Sequence, residues 1–147
     1  MRFRFISKRS FPEENKLLQT IPGMSEACAA TILADLGPNV DAFKSDDHLA
    51  SWAGLCPGSY ESAGIKKSSH ITQGNCYIKY ALTLAGLTAR RSKDTAFSSF
   101  YNRISQRGSK MKAVIACAHK ILRIIYKLLT AHQHYQKEKA LGLRQQF

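Results

Sequence analysis

In the second half of this chain, apolar residues recur at steps of three and four positions, which is the period of amphipathic helices. Three such segments follow one another, with Gly108 between the second and the third. Their apolar faces consist of Ile78, Leu82, Ala85 and Ala89, of Phe97, Phe100, Tyr101 and Ile104, and of Met111, Val114, Ala118, Ile121, Ile125 and Leu128. The pattern predicts helices over about 75–89, over about 94–106 and from about 109 onward. The polar tail after His132 is predicted to fray.

Helix-capping residues predict shorter helices in the first third of the chain. Ser10 and Glu13 have the spacing of a capping box. Ser25 precedes a segment of small and apolar residues that ends at Gly37, and Ser45 precedes a further short segment. The complete pattern predicts five or six helices and a mainly α fold.

Residues 57–70, PGSYESAGIKKSSH, contain almost nothing that could form a core. They predict a long irregular loop at about 55–73 between the helices, with short extended pieces around Ile65 or Ile71. Loops that a rigid scaffold presents are frequent sites of function. Either one of these serines does chemistry, or the loop only connects two helices.

Residues 17–37, LLQTIPGMSEACAATILADLG, have the layout of a helix-hairpin-helix. Gly23 would let a ligand approach the backbone closely, and the helix after Ser25 would offer free N–H groups to a phosphate. Such a hairpin binds the nucleic acid backbone without reading its sequence. The alternative is an αα-hairpin that only packs. That alternative is favoured because the segment is flanked by acidic residues and not by the basic residues usual in such a hairpin. The acidic residues are Glu13, Glu14, Glu26 and Asp35.

The chain carries a formal net charge of +12, and this charge is unevenly distributed. Residues 1–61 hold six Lys or Arg and eight Asp or Glu, a net charge of −2. Residues 62–147 hold sixteen and two, a net charge of +14. A basic surface of this kind binds polyanions, since the neutralised phosphates release condensed counterions. The sequence therefore predicts nucleic acid binding, with a solvated basic face as the alternative.

The residues predicted to contact DNA or RNA are glycines, serines and an asparagine near predicted phosphate sites, together with cations of the basic half. They are Gly23, Ser25, Gly64, Lys66, Lys67, Ser68, Ser69, Gly74, Asn75, Lys79, Arg90, Arg91, Arg103, Arg107 and Lys110. Tyr77, Tyr80 and Tyr101 have the geometry to stack on bases, but their helical spacing favours core packing. Trp52 and His119 are interpreted as structural residues of the core.

Several features exclude other classes of protein. The four cysteines lie far apart without a CxxC pair, which predicts reduced thiols and neither a disulfide framework nor a zinc site. The first residues are too charged for a signal peptide, and charged residues interrupt the most apolar helix, so no membrane segment is predicted. The cysteines are Cys28, Cys56, Cys76 and Cys117.

Several motifs occur in a recognisable order: TIPGMSEACAATILADLG, FKSDDHLASWAGLCPGSYESAG, KKSSHITQGNCYIKYALTLAG and AFSSFYNRISQRGSKMKAVIACAHKILRIIYKLL. From about Leu17 to Tyr135 they resemble the C-terminal transposase region of the insertion-sequence one-hundred-ten family, whose members are described as bridge-RNA-guided recombinases. The resemblance implies a helical transposase domain over 17–135, with a remnant or linker at 1–16 and a polar tail at 136–147. It also implies DNA, a guide (bridge) RNA and further copies of the protein as partners, and a cytoplasmic, nucleoid-associated location in a prokaryote.

In this family, an N-terminal ribonuclease-H-like part holds divalent metal through four acidic residues, and a serine of the C-terminal part is proposed as the nucleophile. By resemblance that serine is Ser62, which would attack a DNA phosphodiester and form a phosphoserine intermediate before the strand is rejoined. Residues 1–16 are too few for the metal-binding part, so the chain is expected to be a truncated copy or fragment, inactive alone. It is expected to hold no cofactor itself, with magnesium bound by the missing part.

The residues themselves leave the activation of Ser62 open, because a serine hydroxyl needs a base or a metal. Glu61 is a poor candidate base, since neighbours in an extended chain point apart, whereas His70 reaches further. A metal from the missing part is preferred on the resemblance. Ser62 has a further alternative as a turn serine that bonds its own backbone. The rival serines are Ser59, Ser68 and Ser69. The alternative functions are a non-enzymatic helix-hairpin-helix binding module and an inactive transposase remnant.

Overall fold

A computed structural model describes residues 11–37, 40–55, 61–62, 65–66, 76–132 and 134–136. Within these residues the chain forms six helices and one short pair of antiparallel strands, so the predicted mainly α fold is confirmed. The helices are α1 (Pro12–Gln19), α2 (Glu26–Leu36), α3 (Asp46–Trp52), α4 (Cys76–Ala89), α5 (Thr95–Arg107) and α6 (Lys110–Ala131). The strands are β1 (Glu61–Ser62) and β2 (Ile65–Lys66), and they lie between α3 and α4 in the chain.

The segment predicted as an irregular loop therefore contains a small hairpin, in which Glu61 pairs with Lys66 and Ser62 pairs with Ile65. The predicted extended piece at Ile65 is confirmed, and Glu61 and Ser62 form a second extended piece that pairs with it. The predicted piece at Ile71 lies outside the described residues.

Helix α6 forms the centre of the fold. It packs against α4, α5, α3 and α1, and its residues are buried on nearly every side. Gly86 of α4 lets this helix approach α6 closely, since a Cβ atom added to it would lie 3.2 Å from the Val114 carbonyl oxygen and 3.3 Å from the Ala118 nitrogen. The predicted apolar face of α6 is confirmed from Val114 to Leu128. Met111 is 66% exposed, so its predicted core position is wrong; in these first turns Ala113 and Val114 are the residues that are buried.

Lys120 is buried inside this core with 2% of its surface exposed. Its Nζ atom donates a hydrogen bond to the Ala96 carbonyl oxygen at 2.9 Å and lies 4.5 Å from the centre of the Phe100 ring. Burial of the ammonium group lowers the pKa of Lys120 to about 8. The lysine thus connects α6 to the first turns of α5.

Arg123, one turn further along α6, is also buried and connects the helix to α3. Its Nε atom donates a hydrogen bond to Asp46 Oδ2 at 2.8 Å. Burial alone would raise the pKa of Asp46, but the hydrogen bond and positive charge of Arg123 outweigh it and hold that pKa below its ordinary value. Tyr126 adds a hydrogen bond from its hydroxyl to the Phe43 carbonyl oxygen, 3.2 Å away.

The turn between α1 and α2 packs directly on α4. Gly23 has a φ of 85°, and a Cβ atom there would lie 2.6 Å from the Ala85 carbonyl oxygen and 2.7 Å from the Ala89 nitrogen. The close approach that Gly23 permits is therefore a contact within the chain. The predicted contact of Gly23 with a nucleic acid stays a prediction.

The predicted caps of α2 and α3 are confirmed, since Ser25 accepts a hydrogen bond from the Cys28 nitrogen and Ser45 accepts one from the His48 nitrogen. The capping box predicted for α1 is wrong. The residue before this helix is Phe11, whose side chain makes no capping hydrogen bond, and Pro12 takes the first helical position, where its missing N–H costs nothing.

The predicted fraying of the tail is wrong at Tyr135, which is half-buried. Its hydroxyl donates to Asp94 Oδ2 at 2.8 Å, and its backbone nitrogen donates to Thr20 Oγ1 at 2.9 Å. Asp94 caps α5 and Thr20 follows α1, so this residue joins two distant helix ends. Trp52 was predicted in the core and lies at its edge, half-buried, 5.4 Å from Phe43 between ring centroids.

We expect Gly23→Ala to lower the free energy of unfolding by on the order of 3 kcal/mol, because the methyl group would overlap the α4 backbone at a positive φ. Gly37→Ala is the control: its φ is 77° and its ψ 171°, a conformation that almost only glycine adopts, but no atom of the described residues lies within 4 Å of the added carbon. It should cost about 1–2 kcal/mol, from the backbone conformation alone. Chemical denaturation of the three proteins measures both values, and equal losses would contradict the packing described for Gly23.

The buried Lys120 predicts a stability that rises with pH. Between its folded pKa of about 8 and its ordinary value of 10.5, the unfolded chain holds a proton that the folded chain has released. Lys120 should therefore add to the free energy of unfolding across this window, by roughly 3 kcal/mol at most, whereas the Cys117 thiol, whose pKa burial raises from 9.0 to about 12, lowers it above pH 9. Denaturation from pH 7.5 to 9, below the range where Cys117 acts, should show a smaller rise in Lys120→Met than in the unchanged protein. The exposed Lys127→Met is the control and should keep the full rise; the same rise in Lys120→Met would refute the assignment.

Candidate nucleic-acid interface

The uneven charge of the sequence corresponds to two groups of helices. Residues 11–55, which contain α1, α2 and α3, hold two Lys or Arg and seven Asp or Glu, a net charge of −5. Residues 76–132, which contain α4, α5 and α6, hold eleven and one, a net charge of +10. The β1–β2 hairpin lies between these groups in the chain, at the boundary that the sequence predicts.

Exposed cations occur at both ends of α5. Arg91 and Lys93 are exposed in the turn before α5, and Arg107, Lys110 and Lys112 are exposed around the turn after it. Helix α5 has 13 residues, so the two groups are separated by about 20 Å. A duplex carries about one phosphate charge per 1.7 Å of axis, so a segment of this length offers on the order of twelve phosphates. We define these five residues as the α5 basic surface.

Two of the arginines predicted to contact nucleic acid have contacts within the protein. Arg90 is half-buried, its Nη1 atom donates to the Tyr101 hydroxyl at 3.2 Å, and its guanidinium lies 5.0 Å from the centre of that ring. Arg103 lies 5.5 Å from the centre of the Phe100 ring. The contact of Arg90 with Tyr101 joins the end of α4 to α5, whereas the contact of Arg103 with Phe100 lies within α5. Contact of either arginine with a nucleic acid stays a prediction, as it does for the half-buried Lys79.

The predicted nucleophile Ser62 lies in β1, where it pairs with Ile65. Lys66, a predicted phosphate contact, ends β2 one register position away. The backbone of the predicted catalytic segment is therefore an ordered antiparallel pair at this point. The other predicted residues of the segment lie outside the described residues, and they are Ser59, Gly64, Lys67, Ser68, Ser69, His70, Gly74 and Asn75.

Helix α4 exposes aromatic side chains that sequence reasoning placed in the core. Tyr77 is 66% exposed and Tyr80 is 68% exposed, so core packing is wrong for both, while Tyr101 is 8% exposed and confirms it. Leu84, 39% exposed, continues the row of Tyr77 and Tyr80 at the spacing of one helical face. The sequence could have predicted this exposure, because Ile78, Leu82 and Ala85 define the core face of α4 and the two tyrosines do not lie on that face.

Two further buried titratable groups, His119 and Cys117, are neutral structural residues at pH 7. Burial lowers the pKa of His119 to about 4, which agrees with its interpretation as a core residue. Burial raises the pKa of Cys117 to about 12, so this thiol is no nucleophile, and both Cys117 and Cys28 are free thiols.

Neither a metal site nor a membrane span is found in the part of the chain that the structure describes. No group of three or more His, Cys, Asp or Glu side chains is arranged there to hold a metal ion. None of the helices there combines the length and the apolar character that crossing a membrane requires.

Comparison with known proteins gives a consistent result. Residues 15–102 match the family model described as Transposase IS116/IS110/IS902 family. This range contains most of α1, the whole of α2, α3 and α4, the β1–β2 hairpin and the first eight residues of α5.

Individual relatives are similar over most of the chain. The pilin gene-inverting protein of Moraxella bovis is 33% identical over 132 residues, which are 86% of this chain and 41% of that protein. An insertion element IS110 protein of 43.6 kDa from Streptomyces coelicolor is 26% identical over 129 residues, 86% of this chain and 31% of that protein. An insertion element IS900 protein of 42 kDa from Mycobacterium paratuberculosis is 29% identical over 123 residues, 82% and 30% respectively. The chain thus spans less than half the length of these relatives.

We expect simultaneous replacement of Arg91, Arg107 and Lys110 by glutamine to weaken binding to duplex DNA and to reduce its salt dependence. If each cation neutralises one phosphate, the slope of log K against log salt concentration should fall by about 2.7. Fluorescence anisotropy titrations at several salt concentrations measure this slope. Lys16→Gln, which changes an exposed lysine on the acidic α1, should leave it unchanged. Equal slopes for the triple variant and the unchanged protein would show that the α5 basic surface does not contact DNA.

Proposed function

The chain belongs to the IS116/IS110/IS902 family of transposases, and on this premise we propose that it is the region of a transposase that binds DNA and supplies the nucleophile Ser62. The observation that carries the proposal is the family match over residues 15–102, which includes the β1–β2 hairpin and therefore Ser62. The basic helices that follow this hairpin in the chain support it, because phosphodiester chemistry requires a surface that binds a polyanion.

In the proposed reaction, the Ser62 hydroxyl oxygen attacks the phosphorus atom of a DNA phosphodiester. The new oxygen–phosphorus bond forms as the bond from phosphorus to one deoxyribose oxygen breaks. The hydroxyl proton passes to a base, and the departing deoxyribose oxygen takes up a proton. The serine is then held as a phosphate diester with the DNA end, and attack by the hydroxyl of another strand reverses the step and frees the serine. No phosphodiester is lost over the two steps, so no external energy source is needed.

Divalent metal in this reaction would come from outside the described residues. Two of the acidic side chains that the structure describes are already used, since Asp46 pairs with Arg123 and Asp94 both caps α5 and accepts from Tyr135. No acidic cluster is left among the helices that the structure describes. These residues do not fit a magnesium site, and we assign the metal of the proposed reaction to a further part of the transposase.

The geometry favours the helices α4 to α6 over the α1–α2 hairpin as the main nucleic acid surface. The Ser25 hydroxyl already accepts the Cys28 N–H, which removes one of the free donors of α2. Glu26 places a carboxylate in the first turn of that helix, and Gly23 is turned to α4. The hairpin therefore has clear packing contacts, and its proposed contact with phosphate is secondary. A structured guide RNA is a second polyanion that the same basic surface would accept.

The proposal predicts a covalent protein–DNA species that depends on Ser62. The chain is joined to the N-terminal part of a longer family member and incubated with labelled element-end DNA, RNA and magnesium. Denaturing electrophoresis should show DNA attached to protein, and peptide mapping should place the phosphate on Ser62.

Ser62→Ala should abolish this species while the affinity for DNA is unchanged, and Ser59→Ala and Ser68→Ala should retain it. A Ser62→Ala protein that still forms the species would eliminate Ser62. If the unchanged protein binds DNA tightly and never forms the species, the chain is a binding module and not a catalytic region.

A further inference from the structure

The row of Tyr77, Tyr80 and Leu84 on α4, which we call the tyrosine row, is not explained by the fold. The two tyrosines are two-thirds exposed, although each ring offers a large apolar face to water. The opposite side of α4 already packs on the core through Ile78, Leu82 and Ala85, none of which is exposed. The tyrosine row is therefore free of any packing task in the described fold.

We propose that Tyr77 and Tyr80 form a stacking site for unpaired bases of a nucleic acid strand. This inference rests on the proposed function, because it assumes a nucleic acid partner. It adds that the tyrosine row recognises the unpaired bases of that partner. Successive rings on one helical face rise by about 4.5 Å from Tyr77 to Tyr80. Stacking on an aromatic ring needs only the flat face of a base, and it is available only where bases are unpaired.

The electrostatic surroundings favour a polyanion as the occupant. Helix α4 contains no Asp or Glu, and Lys79 lies between the two tyrosines in sequence. The single acidic residue of 76–132 is Asp94, whose carboxylate is held by the Ala96 nitrogen and the Tyr135 hydroxyl. Arg91 of the α5 basic surface lies two residues beyond the end of α4 and is exposed. A strand that stacks on the tyrosines therefore meets no repelling carboxylate on this helix, within a group of helices that carries a net charge of +10.

A protein partner fits this row less well. Stable protein interfaces bury about 800 Å² on each side and use some twenty or more residues. The row offers three side chains, and its margins on α4 are polar, with Thr83 half-buried and Thr88 exposed. The tyrosine hydroxyl can also form a hydrogen bond with water or with the edge of a base, so the side chain is suited to a site that is solvent-exposed when no strand is bound.

The test compares the affinity of the full 147-residue chain for three probes of equal length: a single-stranded 20-mer, the same backbone without bases, and a duplex. Replacement of Tyr77 and Tyr80 together by alanine should weaken binding to the single strand by about ten- to a hundred-fold. Binding to the abasic strand and to the duplex should change less than two-fold, because their phosphates are unaffected. Phenylalanine at both positions should restore the single-strand affinity. Met111→Ala, which removes an apolar side chain of equal exposure elsewhere, should change nothing.

Three results would overturn the proposal. An equal loss on the abasic strand would mean that the tyrosines do not stack on bases. Unchanged affinity for all three probes would mean that the row does not touch nucleic acid. A dimer in the unchanged chain that the alanine variant loses, seen by sedimentation, would make the row a contact between protein copies. Failure of the nucleic acid binding that the proposed function assumes looks different, because the unchanged chain would then bind none of the three probes. Failure of its catalytic part leaves all three affinities as they are and shows only as a missing covalent species.

Discussion

The ion pair of Arg123 with Asp46 and the hydrogen bond from Lys120 to the Ala96 carbonyl oxygen are the constraints that the fold depends on. A charged group inside a protein is tolerated when a partner replaces the lost water, and it is strongly destabilising without one. One partner comes from α3 and the other from α5, so both helices must lie against α6 at fixed positions. The apolar residues of α6 provide the stability of this arrangement, and the two buried cations determine which arrangement forms.

This arrangement also explains how so basic a chain can fold. Two of its eleven cations in 76–132 are buried and paired in the core, at Lys120 and Arg123, where they organise α6. Others are exposed at the two ends of α5, away from the acidic helices α1 to α3 in sequence. The same helix thus uses some positive charges for structure, and its first turn presents others to solvent.

Local patterns predicted the helices well, because periodic apolar faces and serine caps act within a few residues. Ser25 and Ser45 each accept a hydrogen bond from the backbone N–H three residues further along the chain, and Ile78 and Leu82 share one face of α4. Contacts between distant segments were missed for the opposite reason. Tyr135 is hydrogen-bonded to Asp94 and Thr20, and the residues near Tyr135 in the sequence do not predict either contact.

The candidate site was predictable only in part. Its positive charge follows from composition, and Ser62 came from family resemblance, since a loop serine has no chemical signature of its own. The internal contact of Arg90 with Tyr101 needed the structure, as did the contact of Gly23 with α4. The exposure of Tyr77 and Tyr80 could have been predicted from the sequence, because the helical period of α4 places both residues away from its core face.

Native-state hydrogen exchange measured residue by residue tests the central role of α6 most directly. If the buried contacts of α6 hold the acidic and basic helices in one cooperative unit, the slowest amides of α2, α4 and α6 should exchange with one common free energy, equal to that of global unfolding. Exchange of α2 and α3 at a much lower free energy, while α4, α5 and α6 stay protected, would show that the two groups of helices unfold separately and would contradict the account.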